Sequence, residues 1–158
     1  MKQVIAALGC LACLAGIYLL GLNTGIDPHP MGDQLGPDNG ESAREYEQRA
    51  QASLEEADEP AFALITFASP LDPADAADLL EDVRRVNQII VADKAPISVG
   101  EMPDRTQVFG SEPLIAVVVW EGGNTLRSLV TDPRIATIDV LPPDAAWGTF
   151  GVRTPSNV

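Results

Sequence analysis

The chain has 158 residues, with 23 acidic against 10 basic side chains, a formal net charge of −13, two cysteines and one histidine. Such a surface repels phosphate backbones and anionic lipid heads, so nucleic-acid binding loses the attraction that normally supplies most of its affinity. Once an apolar N-terminus is set aside, what remains is of ordinary single-domain size.

Residues 4–22 (VIAALGCLACLAGIYLLGL) carry no charge, and a run of that length as a helix crosses a hydrocarbon core of roughly 30 Å. Lys2 precedes it and no Lys or Arg follows until Arg44. That bias places the N-terminus in the cytoplasm and the rest outside a cell membrane, as a single-pass protein. A cleaved secretory signal competes for the same residues, but its apolar region is usually shorter, and Asn23-Thr24-Gly25 offers no small-x-small cleavage pattern. Acylation at Cys10 or Cys13 fits less well, because apolar residues follow each. The two cysteines are three apart on one helical face, with Leu14 rather than a histidine behind them, so neither a metal pair nor a haem attachment is indicated. Gly9, Ala12, Cys13 and Gly16 form a face of small side chains, a pattern that lets membrane helices approach closely. The general abundance of small residues in membrane helices explains that face equally well.

Residues 23–59 read as a tether followed by a connecting helix. Breakers at Asp27-Pro28-His29-Pro30 and Gly36-Pro37-Asp38-Asn39-Gly40 predict an extended tether over 23–40 that reaches about 60 Å. His29 lies in it, without the held geometry that general-base work needs. Ser42 followed by Glu45 fits a capping box, and residues 43–57 are rich in helix formers. Tyr46, Ala50, Leu54 and Ala57 make one narrow apolar stripe, so this helix buries one side only.

Residues 60–141 are read as an extracytoplasmic domain, with 142–158 as a C-terminal tail. A buried strand is predicted at 62–68. Asp72 and Pro73 then open a helix that runs to Arg84-Arg85, with Ala76, Leu79, Leu80 and Val83 on its apolar face. A second strand follows at 86–92, and then a loop rich in Pro and Gly at 93–112, with short strand pieces at 97–99 and 107–109. PLIAVVVW (113–120) is the strongest strand signal. Gly122-Gly123-Asn124 leads into a helix at 125–131, Asp132-Pro133 stops it, and a strand follows at 135–141. The order strand, helix, strand, strand, helix, strand matches the split βαβ arrangement of ferredoxin-like domains. The fold class is α+β: an N-terminal transmembrane helix followed by a ferredoxin-like βαββαβ domain. Both helices of that arrangement lie on one face of the sheet. Strands apolar on both faces imply that something covers the other: the 42–57 helix, the tail with Trp147 and Phe150, or another protein.

Catalytic constellations are absent from the sequence. No histidine or cysteine falls in the domain, and neither Gly-x-Gly-x-x-Gly nor a Walker-type motif occurs, so no catalytic, cofactor-binding or metal-binding residue is assigned. Asp75, Asp78 and Asp82 share a predicted helical face. They form a candidate acidic contact face, although such faces are ordinarily solvated, and they lack the loop carbonyls and spacing of a calcium site. Three function classes stay open: an accessory subunit assembled in a membrane complex, a free-standing extracytoplasmic binding or sensing module, and an enzyme with an unrecognised site. The small-residue face and the doubly apolar strands favour the first.

The single N-terminal helix, the Lys-poor outer part and the phrase FALITFASPLDPADAADLL (62–80) resemble small membrane-anchored actinobacterial envelope proteins, among them accessory subunits of the respiratory cytochrome bcc–aa3 supercomplex. The resemblance implies a non-catalytic subunit without haem or copper of its own. Its partners would be integral membrane proteins through the anchor helix, extracytoplasmic protein domains and the lipid bilayer.

Overall fold

A computed structural model describes residues 32–100 and 105–154. The predicted anchor, with Gly9, Ala12, Cys13 and Gly16, lies outside the described residues, as does His29. Among the described residues no helix is long and apolar enough to cross a membrane. The described residues form one compact unit.

The unit is a mixed α+β domain. In chain order its elements are β1 (Gln34–Leu35), α1 (Ala43–Glu56), β2 (Ala61–Leu71), α2 (Pro73–Leu79), β3 (Arg85–Val91), β4 (Ile97–Ser98), α3 (Arg105–Val108), β5 (Leu114–Glu121), α4 (Gly123–Leu129), β6 (Ile135–Val140) and β7 (Gly151–Val152). Five strands form an antiparallel sheet in the order β4-β3-β5-β2-β6. The most apolar strands, β2 and β5, take interior places. Both have side chains buried on the two faces, which is why their sequences run apolar without alternation.

On one face Ala63, Ile65, Phe67, Val117, Val119 and Ile138 pack with Leu79, Leu80, Val83, Phe109 and Leu126. On the other, Phe62, Leu64, Ile90, Ala116 and Val118 pack with Leu35 and Leu141, and Ala145, Phe150 and Val152 close over them. Much of the second face is therefore covered from within the chain, by β1 and the tail. Residues 34–35 and 151–152 pair in parallel as a separate two-stranded ribbon. That pairing corrects the tether reading for residues 32–40: Leu35 is fully buried, and one apolar residue between breakers leaves no periodicity to detect. Gly36 has φ +93°, and a Cβ there would stand 2.1 Å from the Arg153 carbonyl oxygen, so only glycine lets this crossing close.

Helix α1 forms as its capping box requires. The Ser42 N–H donates to Glu45 Oε2 at 2.9 Å and the Glu45 N–H to Ser42 Oγ at 3.4 Å, while Tyr46, Ala50 and Leu54 are buried. It lies along β6, an edge strand, where Ser53 Oγ accepts from the Val140 N–H at 3.0 Å. The helix thus pairs one N–H of the edge strand and covers part of that edge.

Three predicted elements come out differently. The helix opened by Asp72 and Pro73 ends at Leu79 instead of running to Arg85. Leu80 and Val83 are still buried, delivered by a turn in which Val83 N–H donates to Leu80 O at 3.0 Å; a helical period and a tight turn bury the same residues here. Residues 107–109 are not a strand, since 105–108 is a helical turn that seats Phe109 in the core. The helix expected at 125–131 starts two residues earlier, with Gly122 as its N-cap.

Candidate functional site

Where α1 and α4 diverge over β6 they leave a groove of about 560 Å³, lined by Glu47, Ala50, Gln51, Leu54 and Glu55 from α1, Arg127 and Val130 from the α4 end, and Ala136, Thr137 and Ile138 from β6. Its position follows from the local sequence. Four-residue spacing puts Glu47, Gln51 and Glu55 on one face of α1, flanking the buried stripe of Ala50 and Leu54. Val130 caps α4 and is 37% exposed, one of few large apolar side chains left in solvent. Apolar surface therefore lies low in the groove and carboxylates stand along one rim.

Arg127 holds the two helices at this separation. Its Nη1 donates to Ala57 O at 2.6 Å and Leu54 O at 3.2 Å, and Nη2 to Asn124 Oδ1 at 2.8 Å. The guanidinium thus caps the end of α1: it takes the Ala57 carbonyl and shares Leu54 O with the Ala57 N–H. Gly123 sits against the same turn. A Cβ there would fall 1.6 Å from Ala57 O, so the backbones touch directly.

At the other end of α1 a charged latch joins helix, ribbon and sheet. Asp139 of β6 is 1% exposed. Its carboxylate accepts from the Gly36 N–H at 2.9 Å and from Arg49 Nη1 at 3.3 Å. Arg49 Nε donates to Glu41 Oε1 at 3.0 Å and Nη2 to Gly36 O at 2.9 Å. Burial pushes the Asp139 carboxyl above the usual carboxylate range, against the pull of the Gly36 N–H and Arg49. The bond from Arg49 holds Glu41 below that range. Tyr46, under the Arg49 guanidinium at 5.3 Å, is pushed up to about 12 by burial and by the Asp139 charge. Its hydroxyl is buried beside those of Thr66 and Thr137, which act against that rise. Every charged group of the latch is engaged within the domain, so its evident role is to fasten α1 and β1 to β6.

The predicted acidic face comes apart. Asp75 and Asp78 lie on α2, but Asp82 falls beyond the end of that helix at Leu79, because the chain turns early to bring Val83 inward. All three are exposed, and Asp78 lies 3.9 Å from Arg134 Nη1. Among the described residues no group of three or more potential ligands is placed to hold a metal ion. Trp147, 43% exposed, packs tilted against Phe62 at 5.5 Å and edge-on against Phe150 at 5.8 Å, and so extends the second core outward.

Sequence reasoning missed the groove. Glu47, Gln51 and Glu55 were legible as the polar flank of an amphipathic helix, but Val130 and Ala136 carry no local signal that they would face them. Compared with protein-family models, curated proteins and solved structures, the chain finds no match.

Proposed function

We propose that this chain is a non-catalytic, single-pass membrane subunit whose extracytoplasmic domain holds a protein partner of a larger membrane complex. The observation that carries the reading is the α1–α4 groove, with exposed Val130 above an apolar floor and a carboxylate rim, a combination suited to protein contact. The strand order β3-β5-β2-β6, with crossovers through α2 and α4, supports a ferredoxin-like βαββαβ core to which α1, β4 and the β1–β7 ribbon are added. That fold hosts many functions, so the functional weight rests on the groove. The uncharged run at 4–22 and the small face Gly9, Ala12, Cys13 and Gly16 support a second contact inside the bilayer. On the resemblance of residues 62–80, the complex placed first is an actinobacterial respiratory supercomplex.

The test is isolation of the full chain from membranes in mild detergent through a C-terminal tag, with identification of what accompanies it. Respiratory subunits should be recovered in fixed ratio, and Val130→Glu and Gly9→Leu/Gly16→Leu should each lower their yield without loss of membrane insertion. Recovery as a lone chain would refute the assembly role and leave a free-standing extracytoplasmic binding module. Protease added to spheroplasts should remove the domain; protection would reverse the orientation.

A further inference from the structure

We infer that the partner segment seated in the α1–α4 groove is cationic: a peptide stretch that buries an apolar side chain against Val130 and Ala136, over the buried Leu54 and Ile138, and sets Lys or Arg residues against Glu47 and Glu55. The inference rests on the reading of the groove as a protein-contact surface and names the chemistry of its occupant.

Three observations converge on it. Neither Glu47 nor Glu55 has an ion-pair partner among the described residues; Glu55 accepts only the neutral Gln51 Nε2, at 2.9 Å. The one basic group of the groove, Arg127, is already committed to the Leu54 and Ala57 carbonyls and to Asn124, so it does not neutralise the rim. Finally, the last turn of α1 contains Glu55 and Glu56 and no basic residue of its own; Arg127 meets the terminal carbonyls, but the two carboxylates still add like charge at the negative end of the helix dipole. A cation against Glu55 relieves that opposition. An anionic or neutral segment leaves it in place.

The apolar floor sets the other half of the recognition. Leu54 and Ile138 are nearly fully buried beneath the groove, and Val130 stands exposed at its wall, so a single branched or long side chain from the partner covers it. A volume of about 560 Å³ suits such an anchor with its flanking residues, and it is within the range of specific small sites. Charge steers the encounter and the apolar anchor gives residence time. A second copy of this chain is a poor occupant, because its formal charge of −13 meets the same sign on the rim.

The experiment uses the full chain in a neutral detergent and three fluorescein-labelled probe peptides with one central Leu, flanked by Lys, by Ser or by Glu. Anisotropy at low salt should show saturable binding of the Lys peptide, at least tenfold tighter than the Ser peptide, and none of the Glu peptide. The double variant Glu47→Lys/Glu55→Lys should lose the Lys peptide at least tenfold and gain the Glu peptide. Val130→Asp should weaken the Lys peptide as well, by removing the anchor contact. Asp75→Lys/Asp78→Lys makes the same change in net charge on α2 and should leave binding unaltered. Equal loss in both charge-reversal variants would show attraction to overall charge and overturn the inference, as would equal binding of all three peptides or of none. Sedimentation that reveals a dimer dissolved by Val130→Asp would put a second copy in the groove and overturn it too. Failure of partner co-isolation with intact peptide binding would refute the assembly reading alone.

Discussion

Gly123→Ala probes the tightest backbone contact in the domain. The added Cβ would lie 1.6 Å from Ala57 O, 2.6 Å from Ala57 C and 3.0 Å from Arg127 Nη1, whereas such contacts are essentially never closer than 3.0 Å. The end of α1 and the start of α4 must therefore separate by about 1.4 Å, the difference between 3.0 and 1.6. That movement stretches the 2.6 Å bond from Arg127 to Ala57 O past hydrogen-bonding range, and a hydrogen bond to a charged group is worth about 1.5–3 kcal/mol. Overpacking adds about 1–3 kcal/mol, and the better helix propensity of alanine returns at most about 1 kcal/mol. A net loss of about 3 kcal/mol follows, roughly a 10 °C fall in Tm for a domain of this size. Urea unfolding of the full chain in mild detergent, read by Trp fluorescence, measures it. Gly122→Ala is the control, since nothing lies within 4 Å of a Cβ at that position. If Gly123→Ala costs less than about 0.5 kcal/mol, a value typical of harmless surface changes, the α1–α4 contact is not as close as described and the groove loses its wall.

Ser53→Ala removes the acceptor that holds the edge of β6 at the Val140 N–H and should cost about 1 kcal/mol in the same assay, with faster amide exchange at Val140. Trp147→Ala should cost about 1 kcal/mol through the lost ring contacts with Phe62 and Phe150 and flatten the near-UV circular dichroism, without unfolding the sheet. For pH, the relevant group is Asp139, raised by burial. A raised carboxyl means that the folded state binds the proton more tightly than the unfolded chain. The associated stabilisation is complete below the unfolded pKa, about 4, and disappears as pH rises through the folded value. Asp139→Asn should remove this contribution, so that from pH 4 to 7 the variant loses less stability, or gains more, than the unaltered chain. Identical slopes in Tm against pH would refute the upward shift. Glu41 shifts the opposite way and shares Arg49 with Asp139, so the comparison is made in a Glu41→Gln background, where that coupling is absent.

The sequence by itself determined the elements whose causes are local. Ser42 and Glu45 fix where α1 begins, because a capping box involves four adjacent residues. Pro73 after Asp72 starts α2, and the uninterrupted apolar runs of β2 and β5 declare strands buried on both faces. Local pattern stops short where two conformations bury the same residues, which is why Leu80 and Val83 read as helix but lie in a turn. The tertiary structure decided what depends on distant partners. Leu35 becomes core only because residues 151–152 come alongside it. Asp139 becomes a buried latch only because Arg49 and the Gly36 N–H reach it. The groove exists only because Gly123 allows α4 to touch the end of α1, bringing Val130 opposite Glu47 and Glu55. Those pairings span tens of residues in the chain and leave no periodicity in it, since a side chain's exposure is set by what the rest of the fold places against it.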